Sequence, residues 1–217
     1  MKINDLKAIS EFGDVWYKKV KFNSNSSSIV KVFKELNISA NKILEIGCGR
    51  GKTLFKLKQK IKNSKLTGID VSKEAIIYCK KNYKNVNFYN LDSLKILKLK
   101  SSFDVIILGY FLYLLPRERL FEQFDLITKK LNKNGIIIIN DFKTNYPCYN
   151  FNISNKKILS FKTDYEQFLT CSNNYELIYK KEIIHKQYIA KYKNPNSLIS
   201  AYRKINFLDR FSKDLIE

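Results

Sequence analysis

The stretch Ile43-Leu44-Glu45-Ile46-Gly47-Cys48-Gly49-Arg50-Gly51 places three glycines within five residues, directly after a short apolar run. The whole chain has 217 residues and only seven glycines, so this cluster is informative. Glycine permits positive φ and lets the backbone approach a ligand closely. Because a helix-like pattern follows, the stretch predicts a strand-to-helix turn that presents free backbone N–H groups to a bound molecule.

Short apolar runs and amphipathic segments alternate on either side of this turn. The pattern predicts strands at 42–46, 65–69, 86–89, 103–108 and 136–139, and helices at 53–62, 73–82 and 118–131. Strands that are apolar on both faces, separated by amphipathic helices, indicate an α/β fold with a mostly parallel sheet and helices on both faces. Such sheets bind ligands at the carboxyl ends of their strands.

An acidic residue, Asp70, ends the second predicted strand, 19 residues after Gly51. A carboxylate at this place accepts hydrogen bonds from ribose hydroxyls. A dinucleotide site prefers the spacing G-x-G-x-x-G, whereas the third glycine here comes one residue early. The pattern therefore predicts a ribose-bearing cofactor without selecting between a dinucleotide and another ribose compound.

At these residues the sequence resembles the class I S-adenosylmethionine-dependent methyltransferases. Five stretches follow that family's motifs in order: 43–51, 69–72, 91–93, 103–110 and 131–136. The resemblance covers residues from about 40 to about 142, and more loosely a final hairpin to about 193. It implies a Rossmann-like seven-stranded sheet, mostly parallel, whose last strand is antiparallel.

The resemblance implies S-adenosylmethionine as the cofactor, with S-adenosylhomocysteine as its product. Asp70 would hold the ribose, Val71 would lie against the adenine, and Asp92 would contact the adenine amino group. The implied cofactor-binding residues are Glu45, Gly47, Cys48, Gly49, Gly51, Asp70, Val71, Asp92, Ser93, Leu108 and Gly109.

A sulfonium is already a strong electrophile, so the protein chiefly supplies orientation and proximity, and a general base helps when the acceptor is a hydroxyl. The candidate bases are Asp141, Tyr110 and His185, the only histidine. Each has a structural alternative: a loop-capping carboxylate, a packing ring and a solvent-exposed histidine, respectively. No metal site is expected, because Gly109-Tyr110 stands where magnesium-dependent relatives carry a carboxylate.

The chain carries 40 basic and 20 acidic residues, a formal charge of +20. Two interpretations stay open: a compositional excess of solvated lysines, or an anionic partner such as RNA or a nucleotide-linked substrate. Four scattered cysteines without a CxxC pair indicate reduced thiols. With no apolar run long enough to span a bilayer and no signal peptide, we expect a cytoplasmic protein that does not insert into membranes.

We expect one methyltransferase domain over 1–217, with an N-terminal helical cap at 1–40, a cofactor-binding core at 41–193 and a C-terminal helical appendage at 194–217. The aromatic residues of the first 20 positions suggest a lid, with plain packing of an N-terminal helix as the alternative. Residues 145–160 are interpreted as a polar loop, and 176–184 and 186–193 as an antiparallel hairpin.

The leading hypothesis is methyl transfer to oxygen of a small molecule, possibly anionic in character. A loose similarity to methyltransferases encoded with bacterial surface-polysaccharide genes, carried by 109–115, 140–142 and 160–165, suggests a sugar or sugar nucleotide. The alternatives are an RNA or protein methyltransferase that uses the basic surface, and a non-catalytic cofactor-binding protein. The sequence does not predict the oligomeric state.

Overall fold

The computed structural model describes residues 5–19, 26–144, 146–152, 155–184 and 196–205. The helices are α1 (Leu6–Lys19), α2 (Ser26–Glu35), α3 (Lys52–Lys60), α4 (Lys73–Asn82), α5 (Leu120–Lys130) and α6 (Gln167–Thr170). The strands are β1 (Lys42–Ile46), β2 (Lys65–Asp70), β3 (Asn87–Asn90), β4 (Phe103–Gly109), β5 (Leu131–Phe142), β6 (Cys148–Asn152), β7 (Asn155–Lys162), β8 (Tyr175–Ile183) and β9 (Ser197–Lys204). Short 3₁₀ turns occupy Ser93–Lys98, Leu112–Leu114 and Arg117–Arg119.

Seven strands form one sheet in the order β3-β2-β1-β4-β5-β9-β8. Strands β1 to β5 are parallel, and β9, the last strand of the described residues, is antiparallel to both of its neighbours. The predicted fold is therefore confirmed. The direction of strand addition reverses between β1 and β4, and the carboxyl ends at such a reversal form a crevice for ligands.

The sheet is covered on both faces because its central strands are apolar on both faces. Leu44 of β1 belongs to the core cluster that includes α5, whereas Ile43 belongs to the cluster that includes α2, α3 and α4. Burying a side chain of this size contributes about 1.5–3 kcal/mol. The two faces of β1 thus fix the position of the glycine turn from both sides.

Helix α4 was predicted with its bounds and its cap. The Ser72 hydroxyl accepts the N–H of Ala75 at 3.1 Å, which satisfies a donor of the first helical turn. This cap holds the start of α4 beside the end of β2, next to Asp70.

The interpretation of residues 145–160 as a loop was wrong. Strands β6 and β7 form a two-stranded ribbon in which Tyr149 lies opposite Phe161, and Phe151 opposite Leu159. Cross-strand pairs of this kind stabilise a ribbon even where the intervening residues are polar. The asparagines around these aromatic residues concealed the strand pattern.

The expected helical appendage at 194–217 was also wrong over its first part, where β9 lies. Ile199 and Ala201 pack on one face of the sheet and Tyr202 on the other, because β9 is inserted between β5 and β8. The cofactor-binding sheet therefore extends beyond 193. The predicted strand at 186–193 and the end of the chain from 206 lie outside the described residues.

None of the helices in the described ranges combines the length and the apolar content that crossing a membrane requires.

Candidate active site

A pocket opens at the carboxyl ends of β1, β2 and β4, between the glycine turn, the segment after β4 and helix α1. Its walls are formed by residues from six parts of the chain: Leu6, Ile9, Phe12, Gly13 and Tyr17; Ile46, Gly47, Gly49 and Arg50; Ile69, Asp70, Val71, Ser72 and Ala75; Leu91, Asp92 and Ser93; Tyr110, Phe111, Tyr113, Leu114 and Leu115; and Arg119. This is the edge of the sheet at which the sequence predicted a ligand.

The three glycines of the turn all have positive φ but face different surroundings. Gly49 has a φ of +48°, and a Cβ built on it would meet no atom within 4 Å. A Cβ on Gly51 would lie 2.9 Å from the Phe88 ring and 3.0 Å from the Cys79 sulfur. Gly49 therefore leaves space for a ligand at the backbone, whereas Gly51 allows close packing within the protein.

Asp70 connects the glycine turn to the end of β2. Its Oδ2 accepts the Gly49 N–H at 2.8 Å, and its Oδ1 accepts the Ser72 N–H at 2.8 Å. Burial raises the pKa of Asp70, an effect that these backbone hydrogen bonds oppose. Each carboxylate oxygen has a further lone pair, so the oriented group can also accept hydrogen bonds from a diol.

Glu45 lies behind the turn rather than on the pocket wall. Its Oε2 is buried and has no hydrogen-bond partner in the protein. Burial raises the pKa of Glu45 to about 8, and the nearby Asp70 acts in the same direction. A buried carboxylate oxygen without a partner is costly, so burial favours the protonated form of Glu45.

At the other end of the pocket, the Asp92 carboxylate pairs with Arg119. The Nη2 atom of Arg119 lies 3.0 Å from Oδ1 and 2.9 Å from Oδ2, and Oδ1 also accepts the Leu94 N–H at 3.2 Å. Asp92 and Arg119 both line the pocket. Arg119 was missed by the sequence analysis, because nothing in its spacing from Asp92 signals that the two side chains meet.

Tyr110 is the candidate base that lies on the pocket wall. Its φ of 51° is unusual for a residue other than glycine, and such conformations cluster at functional sites. Its N–H donates to the Asn140 carbonyl at 2.8 Å, and its hydroxyl donates to Ser197 Oγ at 3.0 Å. The ring is therefore held at the wall by β5 and β9.

Asp141 lies behind the wall. It is 2% exposed, and its oxygens accept the N–H groups of Tyr113 at 3.2 Å and Phe142 at 2.8 Å. Burial raises the pKa of Asp141 to about 7. These contacts are those of a carboxylate that caps a turn, which is the structural alternative for Asp141. They are not those of a base exposed to substrate. His185 lies outside the described residues.

Helix α1 covers the pocket and is attached to it by polar contacts. Asp14 Oδ1 accepts the Ser72 hydroxyl at 2.5 Å and the Glu74 N–H at 3.2 Å. The guanidinium of Arg50, within the glycine turn, lies 5.0 Å from the Tyr17 ring and 4.5 Å from the Tyr78 ring. These contacts place α1 as a cover that touches the turn directly.

The structure divides the predicted site residues into two groups. Those on the pocket wall are Gly47, Gly49, Asp70, Val71, Asp92, Ser93 and Tyr110. Those behind it are Glu45, Cys48, Gly51, Leu108, Gly109 and Asp141. Beyond the suggested lid, the sequence did not indicate which residues of α1 and of 111–115 form the wall. The aromatic residues of α1 were the one available signal.

A glycine turn that presents its backbone to a pocket, with a carboxylate fixed beside it, defines a class of α/β proteins that bind a ribose-bearing cofactor at the sheet edge. The family model described as "Methyltransferase domain" matches residues 38–194. The chain belongs to this family.

Solved structures of methyltransferases share the fold. The N-methyltransferase NodS from Bradyrhizobium japonicum WM9, in complex with S-adenosylhomocysteine, has a TM-score of 0.65 at 17% identity, covering 93% of this chain and 97% of that one. A 1,6-didemethyltoxoflavin-N1-methyltransferase from Burkholderia thailandensis, with bound 1,6-didemethyltoxoflavin and S-adenosylhomocysteine, has a TM-score of 0.69 at 15% identity, covering 93% and 85%. At such identities the similarity establishes the fold alone.

A relative in sequence is the "Putative methyltransferase 235L" of Invertebrate iridescent virus 6, which is 37% identical over 59 residues. That match covers 27% of this chain and 22% of the viral protein. The prediction that the chain is a methyltransferase is confirmed by the family, and the fold of the structures solved with S-adenosylhomocysteine agrees with it. The similarity to surface-polysaccharide enzymes stays a prediction.

Proposed function

We propose that the protein transfers the methyl group of S-adenosylmethionine to a small molecule that enters the pocket beneath α1. The observation that carries this proposal is the cover itself: α1 contributes five residues to the pocket wall. A covered pocket favours an acceptor that can be enclosed over one presented by a large surface. Enclosure also excludes water, which strengthens the electrostatic interactions inside the site.

The residues present fit the cofactor. Asp70 would accept the ribose hydroxyls, Val71 would contact the adenine, and Asp92 would accept the adenine amino group. The open backbone at Gly49 leaves room for the methionine part. When bound, the cofactor supplies an activated methyl group, so the protein has to align the acceptor.

Tyr110 is the residue that we propose for orienting the acceptor. Its ring lies at the pocket wall at the end of β4, and its backbone is held by Asn140. Asp141 acts indirectly, because its carboxylate accepts the Tyr113 N–H and so holds the turn that follows Tyr110. Asp141 is therefore a positioning residue in this proposal.

A sugar or sugar nucleotide, methylated on oxygen, is the specific acceptor that we propose for the first test. Arg50 on the pocket wall suits an anionic acceptor of this kind. The apolar side chains that α1 contributes, Leu6, Ile9 and Phe12, favour an acceptor that also has an apolar part. Phenols and heteroaromatic amines therefore belong in the same panel. A cytoplasmic location remains part of the proposal.

The test measures S-adenosylhomocysteine formation by the purified protein with nucleotide sugars, phenols, heteroaromatic amines, total RNA and a protein extract. We expect acceptor-dependent turnover with one small-molecule class, a methylated product in its mass spectrum, and loss of turnover in Gly49→Val. If RNA or protein were methylated and no small molecule were, the proposal would be wrong and the macromolecular alternative would be favoured. Absence of cofactor binding by calorimetry would reject it for a non-catalytic role.

A further inference from the structure

The excess of basic over acidic residues is unevenly distributed along the chain. Residues 41–100 contain 15 Lys and Arg but only four Asp and Glu: Glu45, Asp70, Glu74 and Asp92. Three of these four belong to the region of the active site, and Glu74 is the exposed one. The surface built by this part of the chain is therefore strongly cationic.

Helices α3 and α4 carry many of these lysines. Both helices pack on the same face of the sheet, where Leu54 and Leu57 of α3 share a core cluster with Ile76 and Cys79 of α4. Outside that core, the Phe55 ring stacks on Tyr83 with centroids 4.8 Å apart and planes at 27°. Lys56 and Lys60 follow Phe55 on α3, Lys80 precedes Tyr83 by three residues and Lys84 follows it, and all four lysines are exposed. We call these six residues the lysine–aromatic face.

The positive charges of this region act on one another. The pKa of Lys52 is lowered by burial first, and then by the charges of Arg50 and Lys56. Some lysines elsewhere pair with carboxylates: Lys129 lies 2.6 Å from Asp125, and Lys143 lies 2.6 Å from Glu182. The lysine–aromatic face is thus suited to an external anion, because a polyanion would relieve the repulsion.

The aromatic residues narrow the choice of anion. Phe55 is 41% exposed among the lysines. An exposed ring between cations suits a nucleic-acid base, which stacks on it while phosphates contact the cations. We propose that the lysine–aromatic face binds single-stranded nucleic acid, with its lysines on the phosphates and the Phe55–Tyr83 stack as a platform for a base.

The test measures fluorescence anisotropy of a labelled 20-nucleotide oligouridylate at several salt concentrations between about 50 and 200 mM. The protein is the full chain, and no cofactor or turnover is needed, so the result is independent of the proposed methyl acceptor. Each phosphate contact contributes roughly 0.7 to the slope of log K against log salt for a single strand. We therefore expect a variant with Lys56, Lys60, Lys80 and Lys84 each changed to Gln to lose about 3 from that slope.

A matched control changes Lys95, Lys98, Lys100 and Lys129 to Gln. These residues are exposed on or next to the 3₁₀ turn Ser93–Lys98 and α5, which belong to the other core cluster. The control removes the same charge, so binding that depends on composition alone would weaken equally in both variants. Equal weakening would overturn the proposal.

A third variant, Phe55→Ser, tests the base platform. Loss of one stacked base weakens binding by about fivefold or more, whereas binding of inorganic polyphosphate, which has no bases, should be unchanged. Circular dichroism verifies that all variants are folded. If Phe55→Ser left oligouridylate binding unchanged, or if polyphosphate bound as tightly as the oligonucleotide, the face would be a general polyanion surface and the proposal would be wrong.

Discussion

The Gly49 N–H donates a 2.8 Å hydrogen bond to Oδ2 of Asp70, and this bond joins the turn after β1 to the end of β2. Two residues that lie 21 positions apart in the chain thus form one unit at the carboxyl edge of the sheet. The other oxygen of Asp70 accepts the Ser72 N–H, which ties the same carboxylate to the start of α4. The orientation of Asp70 is therefore fixed before a ligand arrives, which lowers the entropic cost of binding.

Asp70→Asn should weaken binding of S-adenosylhomocysteine by about 1–3 kcal/mol, or roughly five- to 150-fold in Kd. The amide has a single acceptor oxygen, so it cannot keep both backbone hydrogen bonds and accept a ribose diol. Isothermal titration calorimetry measures the change. Asp104→Asn is the matched control, since Asp104 accepts the N–H groups of Asn41 and Lys42 at the opposite edge of the sheet. Equal affinities for wild type and Asp70→Asn would contradict the ribose assignment.

Gly49→Val should mainly impair cofactor binding, whereas Gly51→Val should mainly lower the stability of the fold. A side chain at Gly49 enters open space, so the variant should lose cofactor binding while its thermal stability falls only by the cost of a left-handed valine, about 1–2 kcal/mol. A side chain at Gly51 meets Phe88 and Cys79, so this variant should be strongly destabilised. Thermal melts and calorimetry separate the two results. Normal cofactor affinity in a folded Gly49→Val protein would show that the ligand does not approach this turn.

Glu45→Gln should change how stability depends on pH. Because burial raises the pKa of Glu45 to about 8, the folded state holds a proton that the unfolded chain releases near its ordinary pKa of 4.5. The stabilising contribution of this proton is complete below about pH 4.5 and is lost as the pH rises through about 8.

The free energy of unfolding of wild type should therefore fall, relative to Glu45→Gln, between about pH 5 and pH 8, by on the order of a few kcal/mol. Urea denaturation at several pH values measures the difference. Parallel stability curves for the two proteins would show that Glu45 is ionised throughout this range.

Asp14→Ala should loosen α1 over the pocket. The cavity measures about 120 Å³, which is below the roughly 300 Å³ at the lower end of pockets for small molecules. We therefore expect α1 to move when cofactor binds. Removing the Asp14 contacts with Ser72 and Glu74 should make opening about 1 kcal/mol easier, or roughly fivefold more frequent.

Hydrogen exchange of the α1 amides measures this opening. Glu11→Ala is the control, because Glu11 is an exposed residue of the same helix. If both variants, or neither, changed the exchange of α1, then Asp14 would not be the contact that holds the cover in place.

Local patterns predicted the elements that form the cofactor side of the site. Strand β1 and helix α4 were predicted with their observed bounds, because apolar periodicity and the Ser72 cap act within a few neighbouring residues. Asp70 was assigned from its place at the end of a strand. Residues at the ends of parallel strands are easy to place, because the carboxyl ends of these strands lie at one edge of the sheet.

The substrate side was harder to predict. The ribbon of β6 and β7 was interpreted as a loop because its asparagines concealed the strand pattern. Strand β9 was interpreted as helix because its partner β5 is distant in sequence. Asp141 was proposed as a base from its position after β5, but only its burial and its hydrogen bond from Tyr113 reveal the capping contacts. The Arg119–Asp92 pair likewise joins residues that no local pattern connects.

The sequence by itself determined the parallel sheet, the glycine turn and the carboxylate beside it, since hydrophobic periodicity and backbone freedom are properties of short segments. Tertiary structure alone decided which glycine is open to a ligand, which residues of α1 line the pocket, and that Phe55 of α3 stacks on Tyr83 after α4. These features depend on contacts between segments far apart in the chain, whose distances are set by packing.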